Sequence, residues 1–279
     1  MRLFLRYSVG MQLRSYAESI VMATSLEQKL RPPPADWIDS EPGQALRIPE
    51  PMRPAELQIA PARAVKVPPV KGMQDVSQRR RILHALANHE LQAAELFAWM
   101  LLAFPDEPAS FRRGLLGILV EEQEHCQLYL DRLAAFGGSF GDYPVTGHFW
   151  NHIDGVKTPL DFLCIMGLTF ENANLDFAAE YAQAARDVGD EETAIAIDKV
   201  HEEEIRHVAF AYRWIQKWKP EQQSVWQCFE STLQFPLAPS RARGKTMDRA
   251  AREQAGLDSD FIDRLEQETS TRPNGRKRD

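Results

Sequence analysis

The sequence predicts an all-α protein: a four-helix bundle of two antiparallel hairpins joined by a crossover, with short C-terminal helices and a Pro-rich N-terminal arm. Three observations predict it. Ten of the eighteen prolines crowd into residues 31–70, whereas only Pro105, Pro108, Pro144, Pro159 and Pro220 fall between residues 71 and 235. The segments between those five are rich in Ala, Leu, Glu and Gln, which favour helix, and none alternates at period two. Two of the breaks are short turns and the middle one is about twenty residues long, the connection pattern of two hairpins and one crossover.

Taken in order, residues 1–25 carry Arg2, Arg6 and Arg14 with no acid before Glu18, a composition that organelle transit peptides share; the plain alternative is an amphipathic helix. The Pro-rich stretch reads as an extended arm or linker, which divides the chain into 1–70, a helical domain over 71–235, and an extension over 236–279. The first long helix spans 74–104 and stops at Pro105-Asp106-Glu107-Pro108. The second spans 109–136 and stops at Gly137-Gly138. The connection over 139–158 carries Phe140, Tyr143, Phe149 and Trp150, suited either to capping a pocket or to packing as the crossover. The third helix spans 159–188, Gly189-Asp190 turns the chain, and the fourth runs to 219 before Pro220. Shorter helices are expected at 221–233 and 260–267, ahead of a basic tail from Arg272 to Arg278.

With 279 residues, 44% apolar and 26% charged, the chain can bury a real core, which excludes a disulfide miniprotein and a disordered chain. Its longest apolar runs stop at about eight residues, short of a membrane span, so a soluble protein is expected. Cys126, Cys164 and Cys228 form no CxxC pair, which fits a reducing compartment and a cytoplasmic location. A net charge of -7 and a pI of about 5.6 argue against a nucleic-acid partner. No nucleotide loop, Gly-rich fingerprint or catalytic Cys motif is present.

The informative pattern is charge on the apolar stripes. On the first helix the stripe reads Leu83, Leu86, Glu90, Ala93, Phe97, Leu101, and on the second Leu115, Ile118, Glu122, His125, Tyr129, Leu133. The third reads Cys164, Gly167, Glu171, Asn174, Ala178 and the fourth Ile197, Val200, Glu204, His207, Ala211, Trp214. Buried carboxylates must protonate, pair or bind a cation. Four acids and two imidazoles match two divalent metal ions, and a set of oxygens and nitrogens without thiolate suits iron, with manganese or a mixed pair as the other choice. A lone Glu-x-x-His is a weak signal. The joint pattern is specific, because Glu90 precedes Glu122 by 32 residues and Glu171 precedes Glu204 by 33, one pair per hairpin. Glu95, about 140° from Glu90 around the helix, is excluded as a ligand.

These residues carry a resemblance. The chain resembles ferritin-like dimetal carboxylate proteins, and its Glu203-Glu204-Ile205-Arg206-His207 run is similar to the acid-Glu-x-Arg-His signature of bacterial multicomponent monooxygenases and ribonucleotide reductase small subunits. It is most similar to the family called domain of unknown function 455. The matching stretches are residues 83–96 (LHALANHELQAAEL), 121–133 (EEQEHCQLYLDRL) and 203–214 (EEIRHVAFAYRW), with the Pro-rich lead-in and Phe235-Pro236. The resemblance implies a ferritin-like bundle and gives metal-ligand roles to Glu90, Glu122, His125, Glu171, Glu204 and His207, without an established reaction. His89 and His201 depart from its pattern.

Around that set, Glu203 is placed to accept a hydrogen bond from a coordinated imidazole, and Arg206 either completes that network or forms an i,i+3 surface pair. Tyr129, Asn174 and His201 are the pocket candidates. Tyr129 stands four residues after His125, the offset of the radical tyrosine in ribonucleotide reductase small subunits, against an ordinary packed tyrosine. The resulting expectation is a dinuclear iron oxidoreductase that takes dioxygen, a small organic substrate and electrons from a separate donor. Its alternatives are a ferroxidase or iron-handling protein and a tRNA-modifying hydroxylase, the last disfavoured by the acidic charge.

Overall fold

A computed structural model describes residues 10–268. The basic tail, and Arg2 and Arg6 of the leader-like segment, lie outside the described residues. Among these the chain is all-α, with no strand beyond two isolated bridges, Gln12 with Ile38 and Ile59 with Val145. No helix among them is long and apolar enough to cross a membrane. The chain divides into two compact units, one of residues up to 66 with 84–150, the other of 67–83 with residues from 151 on.

The first unit holds α1 (Leu13–Met22), the single turn α2 (Leu26–Lys29), all but the first turns of α3 (Val76–Ala103), and α4 (Ala109–Ala135). Both long helices begin and end within two residues of expectation, because their ends are chemically marked. Asp75 opens α3 by accepting the Gln78 N–H at 2.9 Å. Gly137, at φ +72°, closes α4 by letting the Gly138 N–H reach the Leu133 carbonyl at 3.0 Å. The pair is antiparallel: Arg112 donates to the Leu101 carbonyl at 2.9 Å near the turn, and the Cys126 thiol meets the Ala87 carbonyl at 3.4 Å farther along.

The Pro-rich stretch is irregular apart from short 3-10 turns, as its missing N–H groups require. Expected as an extended arm or linker, it is instead stitched to α3 within this unit. The Trp99 indole donates to the Ile48 carbonyl at 2.9 Å, and Leu57 is buried. Arg53 donates to both oxygens of Glu95, at 3.0 and 2.7 Å, and to Asn88 at 3.0 Å. Lys29 adds a second cation to Glu95 at 2.9 Å, and the Trp150 indole a further donor at 2.8 Å. Burial raises the Glu95 carboxyl, but the charges of Arg53 and Lys29 outweigh it and hold it below its ordinary range. On α1, Leu13, Tyr16, Ala17, Ile20 and Val21 form a buried face, and the Tyr16 hydroxyl donates to Gln123 on α4 at 3.0 Å.

The second unit holds α5 (Pro159–Phe162), a π-helix (Leu163–Glu171), α6 (Asn172–Asp187), α7 (Glu191–Trp218), α8 (Val225–Thr232), α9 (Arg249–Gln254) and α10 (Ser259–Gln267). Thr158 and Asp161 form a capping box at the start of this run, and Gly189, at φ +76°, makes its closing turn. Asp190 then caps α7 by accepting the Thr193 N–H at 3.2 Å, while Arg79 pairs with it at 3.0 Å. Contacts from Asn174 to Glu204 and from Arg186 to Asp198 make α6 and α7 antiparallel. Two elements depart from expectation: the π-helix inside the third helix, and α9. Arg252 of α9, fully buried, makes a two-pronged pair with Asp176 of α6 at 2.7 and 3.0 Å. Asp176 also accepts the Gly244 and Asp248 N–H groups, at 2.7 and 2.6 Å, which ties the C-terminal stretch to α6.

The buried ion network makes the arm an energetic part of the first unit. Glu95→Gln leaves Lys29 and Arg53 buried without their counter-charge and should cost about 3–5 kcal/mol of unfolding free energy in urea. A loss below about 1 kcal/mol would mean that the two cations find water instead.

Candidate metal centre

Each unit carries half of the expected ligand set, and each half is a buried trio. In the first unit α3 supplies Glu90, and α4 supplies Glu122 and His125, which are 5%, 0% and 0% exposed. Their stripe neighbours Leu86, Ala93, Phe97, Ile118 and Tyr129 are buried as well, so the acids occupy core positions. One ligand-capable atom from each of the three lies within 4.8 Å of the other two. The Nδ1 of His125 is 3.5 Å from Oε2 of Glu122. Beside them, burial and then the charge of Glu90 push the Cys126 thiol far above its ordinary value, so it stays protonated.

In the second unit Glu171 comes from the last residue of the π-helix, and Glu204 and His207 come from α7. These three also offer atoms that all lie within 4.8 Å of one another. The Nδ1 of His207 is 3.4 Å from Oε2 of Glu204. The Asn174 side-chain amide donates to Oε1 of Glu204 at 3.0 Å, while Oε2 has no hydrogen-bond partner.

Local backbone delivers Glu171 in a way the sequence stripe did not foresee. In the π-helix the turn is one residue wider than in an α-helix. Thr169 Oγ1 donates to the Cys164 carbonyl five residues back at 2.8 Å, and the Asn172 N–H reaches the Gly167 carbonyl, also five back. Gly167 faces α7 so closely that a Cβ built on it would overlap the Ala211 methyl, so no side chain fits there. The sign available in the sequence was that glycine inside an otherwise helical run, since Gly costs stability there unless packing requires it.

With two carboxylates and one imidazole in each, both trios have the donor chemistry to hold a metal ion, and the unsatisfied Oε2 of Glu204 fits that use. The neighbouring candidates fall outside these sets. Glu203 lies in a partly exposed ladder with Lys199 at 3.1 Å and Arg206 at 3.3 Å, which matches the surface-pair reading of Arg206. His201 is 3.5 Å from Asp248. Tyr129 is buried one turn beyond His125. His89 stacks beside His148 and Phe149, and burial pushes it down to about 4. The aromatic connection packs back onto its own unit. Phe140 and Tyr143 set their rings edgewise to His84, whose Nε2 accepts the Gly141 N–H at 3.0 Å.

The family model described as "Protein of unknown function (DUF455)" matches residues 13–263. The chain belongs to that family. The match spans both units and all six residues of the trios. No curated protein matches the chain, and no solved structure does.

Two outcomes follow from these local structures. Gly167→Ala should cost about 1–3 kcal/mol by overpacking, and the double variant Gly167→Ala, Ala211→Gly should recover most of it in denaturant unfolding. An unaffected single variant would mean that the π-helix has room to move. Burial pushes His84 down to about 4 from its ordinary 6.5. The stability gained from its neutral form is therefore complete above pH 6.5 and is lost as pH falls toward 4. Wild type should lose about 2 kcal/mol more than His84→Gln between pH 7 and pH 5; equal losses would show that His84 does not titrate in this range.

Proposed function

We propose that the two trios act together as one dinuclear centre holding iron, in a protein that uses dioxygen to oxidise a small organic substrate with electrons from a separate donor. The observation that carries this reading is Glu204. It is 2% exposed, its Oε1 is held by a neutral amide, and its Oε2 has no hydrogen-bond partner and lies 3.4 Å from Nδ1 of His207. A buried carboxylate oxygen without a hydrogen-bond partner is costly. A divalent cation bound by Glu204 and His207 would supply both the missing partner and the counter-charge.

The pairing of the trios is supported by the chain itself. Each hairpin repeats a Glu followed by Glu-x-x-His, at separations of 32 and 33 residues. Four carboxylates neutralise two divalent ions and leave both imidazoles free to bind as neutral ligands. Two antiparallel hairpins of this kind are the halves of a ferritin-like bundle, and we read the chain as one. A bound iron pair supplies redox chemistry and dioxygen activation. The chain's own residues hold the ions through the two trios, and the apolar stripes beside them exclude water.

Metal content by mass spectrometry tests the reading, on protein purified without chelators and then loaded anaerobically with ferrous iron. Wild type should carry close to two irons per chain, and the double variant Glu204→Ala, His207→Ala far less. Oxygen uptake by the loaded wild type should then rise with added reductant and leave the iron count unchanged. Wild type that binds no iron overturns the proposal. Iron accumulating far beyond two per chain overturns the oxidase reading in favour of storage.

A further inference from the structure

Three buried acids outside the trios are each answered by a cation: Glu95 by Lys29 and Arg53, Asp176 by Arg252, and Asp190 by Arg79. Such pairs both orient a carboxylate and cancel its charge. Glu204 is as buried as these, yet it is oriented by the Asn174 amide, which adds no charge. Asn174 stands one turn after Glu171 on the same helical run, so a single stretch of chain supplies one carboxylate of the trio and the donor that holds another. On α3 the residue at the same offset after Glu90 is Ala93, which has no polar atom to offer. The Asn174 contact therefore has no counterpart at that offset on α3.

We propose that Asn174 is a positioning residue: it occupies Oε1 of Glu204 so that Oε2 alone, with its charge intact, is offered to a metal ion. This rests on the metal reading of the trios. It distinguishes the two helical runs, since Asn174 holds one carboxylate of the second trio ready in advance, whereas Ala93 at the matching offset on α3 has no side-chain donor. Asn174→Asp keeps the shape and replaces the donor with a like charge, whereas Asn174→Ala removes both.

The test is titration of the metal-free protein with cobalt(II), read by calorimetry and by the visible absorption bands that report cobalt coordination, beside urea unfolding of the metal-free forms. Wild type should bind two ions in unequal steps. In Asn174→Asp one step should weaken by about 10–100-fold, with altered bands, while the other step stays as in wild type. Asn174→Ala should weaken the same step. Wild type that binds no cobalt overturns the metal reading and this inference with it. Wild type that binds two ions, with Asn174→Asp equal to it or tighter, overturns the inference alone. Weakening of both steps in parallel with a lower unfolding midpoint also overturns it, because it assigns Asn174 a general structural part.

Discussion

A carboxylate taken out of water needs a counter-charge, and much of this protein is arranged around meeting that need. The cost of an uncompensated buried charge exceeds the net stability of most domains' individual contacts, so each buried acid dictates what must be brought to it. Glu95 draws in Lys29 of α2 and Arg53 of the proline-rich stretch and fastens both to α3. Asp176 does the same for the C-terminal stretch through Arg252 and two backbone N–H groups. At Glu204 the partners are an amide and an imidazole, and that difference separates an acid that organises the fold from one suited to a ligand.

Much of this was legible in the sequence because the relevant signals are local. Helix ends were placed closely where a proline, a glycine pair or a capping acid marks them, as at Pro108, Gly137-Gly138 and Asp190. The six acids and imidazoles stood out because they break apolar stripes whose period the chain itself declares. The same reasoning could not see that Lys29 and Arg53 converge on Glu95, since no spacing rule links residues so far apart. Nor could it distinguish a buried arginine in α9 from the exposed ones around it, and α9 went unrecognised. The π-helix was missed for a different reason. A stripe drawn at α-helical spacing through Cys164, Gly167 and Glu171 still lands on buried residues, so burial alone does not reveal the wider turn.

The family relationship and the structure bear on different questions. Membership in DUF455 covers both units and says that their residues travel together, while it assigns no reaction. The chemistry open to the site follows from its donors, and at Glu204 from which oxygen atom is already satisfied. The Asn174 amide matters in that respect because it is neutral. A guanidinium in its place would orient Glu204 equally well and would remove the negative charge that attracts a cation.

The Glu95 network also constrains the order in which the protein can be completed during synthesis. Its members are Lys29, Arg53, Glu95 and Trp150, so the hub cannot close until about 120 residues have followed the first of them out of the ribosome. Until then Lys29 in α2 and Arg53 in the proline-rich stretch remain hydrated, and their burial waits for α3 and the aromatic connection. The N-terminal stretch is thus made well before the residues that fasten it.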